Sequence, residues 1–343
     1  MSSTVNIFDL ERFRNCVLFS ISLRKWNNRA QVRDMLALQK YIQELDAAKR
    51  EQEGEAEKPT GNGTSQTVIL ASDRVKSSKV LIRSKAYEEL CQELNGIKDW
   101  CLARSMPSYF RAGMFVVKQD VVGVIEKALR DASEKLVAPD GKLSAFINAY
   151  PQDIDNARTT PVAKGGLGPI FRLADYPTPD QMREAFSVEW YWLALSVPEN
   201  LPEELKAEAG DKFKRRLTEA AQDIENALRV EFQELLARAE ERLTVAPGEK
   251  PKVFKSSLVG NLIQFIETFE ARDVFGDQRL ASVIAQAKAT LLDDKGNAKF
   301  DAAKLREYAS VREVAREQFG AMKKAMDDMI QEQPKRKFDF SED

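Results

Sequence analysis

The stretch from Leu217 to Ala239 constrains the fold of this chain more than any other feature. Leu217, Ala221, Ile224, Leu228, Phe232, Leu235 and Ala239 recur at three- and four-residue steps, which sets all seven on one stripe of an α-helix. A stripe that deep must be buried against other helices, and the sequence downstream supplies them. Periodicity predicts helices over 257–272, 278–292 and 301–331, the last with Tyr308, Val311, Ala315, Phe319, Met322, Met326 and Met329 on one side. Pro202 suits the first turn of the long helix. That helix is expected to run to Leu243, with Gly210 as a point of interruption.

Upstream the pattern is mixed. Val17, Phe19, Ile21 and Leu23 alternate with Leu18, Ser20, Ser22 and Arg24, a period of two that predicts a half-buried strand. A helix follows, with Met35, Leu38, Ile42 and Leu45 on its apolar side. Residues 83–104 predict another, carrying Tyr87, Leu90, Leu94, Ile97 and Cys101. A short strand at 114–117 feeds a helix with Val121, Val124, Ile125 and Leu129, which Pro139-Asp140-Gly141 ends, and a further helix covers about 143–157. The segment 187–197 (SVEWYWLALSV) is the strongest strand in the chain, and Val68–Leu70 a weaker one. An amphipathic turn is expected around Ile7–Phe13.

These readings give an α+β fold, predominantly α-helical. A small sheet is gathered from dispersed strands, and long helices pack antiparallel in the C-terminal half. The expected organisation is a mildly basic N-terminal α+β region over 1–157, with a mobile loop at 51–66. A Gly/Pro-rich connection follows at 158–180, then a strand and long-helix region over 181–333, then a disordered tail over 334–343.

Chemistry is bounded by what is missing. Histidine is absent, so Ser-His-Asp and Cys-His catalysis and His-ligated zinc are excluded for this chain alone. Cys16, Cys91 and Cys101 form no Cys-x-x-Cys pair and are too few for a four-thiolate zinc site, and an odd count argues against a disulfide framework. Cys91 and Cys101 read as small core residues. The N-terminal residues lack a cationic and apolar leader, and no apolar run approaches the ~18 residues that a membrane span needs. A cytoplasmic protein that does not enter the membrane is expected. No catalytic, cofactor-binding or metal-ligating residues stand out, and no cofactor is expected. Asp120 with Glu126-Lys127 comes nearest to a nuclease pattern, but the three fall in one predicted helix, which is the wrong geometry.

Net charge is −2 overall, yet residues 1–118 carry 19 Lys+Arg against 14 Asp+Glu, and the rest carry 33 against 40. Two N-terminal clusters account for the excess. Arg24, Lys25, Arg29 and Arg33 surround Trp26, whose indole offers a stacking surface. Arg74, Lys76, Lys79, Arg83 and Lys85 follow one another without a carboxylate between them. Such clusters suit phosphate contacts, and a shared face is what a nucleic-acid interface requires. The alternative is a cluster of solvated cations with Trp26 in the core.

Lys164-Gly165-Gly166-Leu167-Gly168 resembles a phosphate loop, but Pro169 stands where a Walker loop opens its helix. At the C-terminus, Lys335-Arg336-Lys337 precede Phe338-Asp339-Phe340, aromatics on a charged end that suit docking into a partner's pocket. Met322, Met326 and Met329 suit either core packing or a partner groove.

The layout of "VLFSISLRKW" leading into "NNRAQV", then a Gly/Pro loop, a hydrophobic strand and long charged helices, resembles a family of bacteria, phages and conjugative elements. That family is catalogued only as a domain of unknown function. Its members are often encoded beside a MoxR/CobS-type AAA+ ATPase and a von Willebrand-type protein. The resemblance implies a non-catalytic assembly or adaptor protein of a phage or mobile element, with an AAA+ ATPase as protein partner. Two alternatives remain, a nucleic-acid-binding accessory protein using the basic clusters, and a carboxylate/Mg²⁺ enzyme.

Overall fold

The alternation at 17–24 does form a strand. A computed structural model describes residues 13, 15–52, 77–108, 112–194, 202–244, 256–293, 299 and 307–331. In it β1 (Cys16–Arg24) is a middle strand of a four-stranded antiparallel sheet in the order β4-β5-β1-β6. β4 (Met106–Pro107) pairs with β5 (Phe115–Lys118), and β5 pairs with β1 in a register that runs from Cys16 opposite Lys118 to Phe19 opposite Phe115. β6 (Ser187–Leu193) lies on the other side of β1. Both faces of β1 are covered, so Leu18 and Ser20, on the side expected to be polar, are buried with Phe19 and Ile21.

A second sheet has two strands, β2 (Arg29–Gln31) and β3 (Ser78–Val80). The helices are α1 (Met35–Gln52), α2 (Lys85–Leu102), α3 (Gln119–Val137), α4 (Lys142–Thr159) and α5 (Pro179–Glu184), then α6 (Glu203–Leu243), α7 (Ser256–Arg272), α8 (Gln278–Leu291) and α9 (Ala309–Gln331). The architecture is thus α+β and mainly helical. The expectations at Ile7–Phe13 (apart from Phe13), Val68–Leu70, most of loop 51–66 and tail 334–343 lie outside the described residues, as do residues 301–306 of the last predicted helix.

The chain divides into two compact units that are interleaved in sequence. The first takes Met1–Ile21, Trp100–Ile125 and Trp190–Asp343, and the second Ser22–Asp99 and Glu126–Glu189. The first unit is built on α6, whose 41 residues span about 60 Å at 1.5 Å per residue and pass Gly210 without a break. Its stripe is buried as the periodicity requires, with Ile224, Phe232 and Ala239 fully inaccessible. α9 packs along it in the opposite direction. Lys323 Nζ lies 3.3 Å from Glu240, while one turn further along α9 Asp327 accepts from Gln233 Nε2 at 2.8 Å, about two turns back along α6. Met322, Met326 and Met329 fill this core. From α7, Phe265 stacks on Phe232 with ring centres 5.0 Å apart.

The second unit is held by aromatic rings. Trp26, Tyr87, Phe146, Tyr150 and Phe186 meet at centroid distances of 5.5 to 6.4 Å, mostly edge to face, the arrangement that ring quadrupoles favour. Residues 158–180, expected as a connection, belong to this core. They fold as three 3-10 turns, Val162–Lys164, Gly168–Ile170 and Leu173–Asp175, and Val162, Leu167, Ile170 and Tyr176 are buried. The changes of unit fall within β1, α2, α3 and β6 instead.

Candidate functional site in the second unit

The two basic segments do come together, through Asn28. Its side-chain amide donates to the Ile82 carbonyl at 2.7 Å and its side-chain oxygen accepts from the Ile82 amide at 2.8 Å, while its own carbonyl takes the Leu81 amide. This clamp sets the register of the β2–β3 ribbon, with Arg29 opposite Val80, Ala30 opposite Lys79 and Gln31 opposite Ser78. Because side chains alternate across a ribbon, Arg29, Gln31, Ser78 and Val80 face outward, and Ala30 and Lys79 face inward. The pairing therefore splits the cations between two faces.

Lys79 is the consequence. Only 5% of it is exposed, and its ammonium lies 2.6 Å from Asp175 and donates to the Ile170 carbonyl. A buried ammonium needs such partners. It ties the ribbon to the 3-10 turns and offers no charge to an external phosphate. Trp26 stands edge-on to Tyr87 and Tyr150, and its carbonyl accepts from Tyr87 Oη, so the indole is half-buried in the core. Lys25 donates to Asn95, and Lys85, exposed on the first turn of α2, sits 3.5 Å from Glu89. Arg24, Arg29, Arg33 and Arg83 are exposed. Arg74 and Lys76, like Phe338, Asp339 and Phe340, lie outside the described residues.

A cleft of about 350 Å³ opens beside the ribbon, with Tyr41, Arg83, Asp153, Lys164 and Gly165 among its walls and Leu81, Leu167 and Ile170 among its apolar lining. The glycine loop thus lies in the cleft wall, but not as a phosphate cradle. The amides of Lys164 and Gly166 donate to the Pro161 carbonyl, that of Gly165 to Val162 and that of Leu167 to Ala157, so these four are not offered to an anion. The glycines serve packing. Gly165 has φ +95°, and a Cβ at Gly166 would lie 1.7 Å from the Thr160 carbonyl oxygen. Arg83 reaches over Gly165, where a Cβ would meet its Nη1 at 3.1 Å.

Asp153, on α4, is the cleft residue that sequence reasoning missed. Burial raises its pKa above the ordinary aspartate value, against the lowering effect of a hydrogen bond from Ser84. Its Oδ2 is buried and has no hydrogen-bond partner. Nothing in the sequence separates it from Asp155, which simply pairs with Arg158 at 2.6 Å.

In the first unit, the thiols are inert. Burial pushes Cys16 up to about 12 and Cys101 up to about 11, which leaves little thiolate near neutrality. Cys91, expected in the core, is only half-buried on α2 in the second unit. β6 ends the sheet order, and its outward residues Glu189, Tyr191 and Leu193 are exposed, Tyr191 at 53% and Leu193 at 43%. On its inner face Trp192 packs on Phe19, ring centres 4.7 Å apart. Among the described residues no three acidic or cysteine side chains cluster to hold a metal ion, and no helix is long and apolar enough to cross a membrane. The fold and site define a mainly helical α+β protein with a cationic cleft and an apolar sheet edge. No family model, curated protein or solved structure matches the chain significantly.

Proposed function

We propose that the chain is a non-catalytic assembly or adaptor protein of a phage or mobile element that engages an AAA+ ATPase. The observation that supports this reading is the edge strand β6. Among the described residues it is an edge of seven residues with no proline, Glu189 is its one outward charge, and it presents Tyr191 and Leu193 outward. Folded proteins usually blunt such an edge with charge, proline or a cover, because it templates pairing with another chain. An extended segment of the ATPase adds to this edge, its backbone giving affinity and Tyr191 and Leu193 giving selectivity. The test is co-purification of the tagged protein with the neighbouring ATPase, for wild type and for Tyr191→Lys with Leu193→Lys. Capture is lost in the double variant, whose exposed substitutions leave the thermal transition in place. Undiminished capture by that variant would sink the reading.

A second reading, nucleic-acid binding, is favoured by the ribbon that joins the two basic segments. Its contacts are Arg24, Arg29 and Arg83, and no longer Lys79. Reversal of these three charges abolishes binding that weakens steeply with salt. Charge reversal at Lys79 is uninformative, since it breaks a buried ion pair.

A further inference from the structure

The cleft holds polar groups that the fold does not use. Arg83 and Lys164 are exposed on its walls, and neither side chain makes an ion pair or a hydrogen bond among the described residues. The nearby acids do not cancel them. Asp175 is committed to Lys79, and Asp153 is a single carboxylate against two cations. Glu44 stands outside the lining, against Gly168. Two cations at an apolar, partly enclosed surface attract a multiply charged anion more strongly than the same cations in open solvent would.

The rest of the lining selects what such an anion is attached to. Leu38, Leu81, Ala157, Leu167 and Ile170 form an apolar surface, with the half-buried Tyr41 beside it. The volume, about 350 Å³, falls at the lower end of the range for small-molecule sites, roughly 300–1,000 Å³. The spare oxygen of Asp153 calls for a hydrogen-bond partner. A ligand with an anionic end, a flat apolar body and an N–H donor matches all three.

We propose that this cleft binds a nucleoside phosphate, with its phosphates on Arg83 and Lys164, its base on the apolar lining and a base N–H on the spare oxygen of Asp153. Recognition is by side chains, since the amides of residues 164–167 already donate to backbone carbonyls. The site goes beyond the adaptor reading and stands on different residues.

Isothermal titration calorimetry of the full chain with ADP, GDP and pyrophosphate tests it. ADP or GDP binds saturably at one site. Arg83→Glu and Lys164→Glu each weaken all binding about tenfold or more, the expected loss of a charge-assisted phosphate contact. Asp153→Asn weakens the nucleotides and leaves pyrophosphate unchanged. Absence of saturable binding by all three probes at millimolar concentration would overturn the proposal. So would binding indifferent to both charge reversals, or an equal loss of nucleotide and pyrophosphate in Asp153→Asn. A single-stranded oligonucleotide that binds where the three probes do not would overturn it in favour of the nucleic-acid reading.

Discussion

The two units treat buried charge differently. In the first, Arg229 and Asp277 pair at 2.6 Å with side-chain exposures of 12% and 5%, and the same carboxylate caps α8 by accepting from the Leu280 amide at 3.1 Å. Arg272 Nε finds no partner, but its two terminal nitrogens hold both oxygens of Glu231. In the second unit Lys79 and Asp175 are matched in the same way, yet a few residues distant in the cleft Asp153 keeps a buried oxygen unmatched, and Arg83 and Lys164 stay unpaired. An unmade hydrogen bond at a buried group costs folding energy, about 1–3 kcal/mol. Among the described residues such buried atoms occur in both units, Arg272 Nε and Arg316 Nε in the first and Ser133 Oγ, Asp153 Oδ2 and Asp175 Oδ2 in the second. The contrast therefore lies in their setting: only Asp153 lines a cleft that also holds two unpaired cations.

The contrast is broken most forcefully at Asp277. Asp277→Ala strands Arg229 in a buried position and removes the α8 cap, and urea unfolding should show a loss of about 3–5 kcal/mol. A loss below about 1 kcal/mol would mean that the pair is solvated and the first unit less tightly matched than its geometry indicates. Burial works against ionisation of Asp277, but hydrogen bonds from Arg229 and from the Leu280 amide outweigh it and lower the pKa. The pair therefore stabilises the fold above the ordinary aspartate pKa, about 3.9, and its contribution disappears as pH falls through the depressed folded value. The Asp277→Ala variant lacks that acid-sensitive component, and the difference between the two proteins narrows in acid.

A smaller effect is expected at Gly166, which tests whether the 158–180 segment is core or connection. A methyl there overlaps the Thr160 carbonyl, and the backbone must shift. Gly166→Ala should cost about 1–3 kcal/mol, the usual range for overpacking. Thermal melting within a degree of wild type would show that these turns carry no load in the second unit.

The helical half of this fold was legible because a 3.6-residue stripe is long enough to count. α6, α7 and α8 fall within a residue or two of their expected bounds, and the antiparallel course of α6 and α9 follows from the one partner large enough for their stripes. β2 and β3 were not legible. Three residues are too few for a period of two, and this ribbon inverts the usual pattern, with Val80 outside and Lys79 inside. No hydropathy rule places a lysine inward over a valine. Only the Asn28 clamp and Asp175, 96 residues further along the chain, account for it. The glycines and prolines at 158–180 signalled turns correctly but not their burial, since a positive φ and a close approach look the same in sequence as a flexible linker. The division into units was hidden for a different reason, because each is assembled from separated segments. Of the cleft, Lys79, Arg83, Lys164 and the glycines stand out in the sequence as two unrelated motifs, and their convergence with Asp153 is a product of tertiary structure alone.

The finest distinction rests on Asp153. Its folded pKa is raised, chiefly by burial, so the native protein binds a proton more readily than the unfolded chain does. Stability from this group is greatest in acid and falls as pH rises through the folded value, the opposite sense to Asp277. Asp153→Asn removes the ionised form at nearly constant shape. It should therefore stabilise the protein at pH 7 by less than either loss above, with the gain vanishing below about pH 4, where both forms of the wild type are protonated. Paired urea titrations at the two pH values measure this. A variant less stable than wild type at pH 7 would show that the carboxylate is matched after all, and the two units would then manage their buried charge alike. A gain at pH 7 that shrinks when ADP is added to both proteins would join the unmatched oxygen of the second unit to that ligand, since ADP stabilises the wild type more than the variant that binds it less tightly.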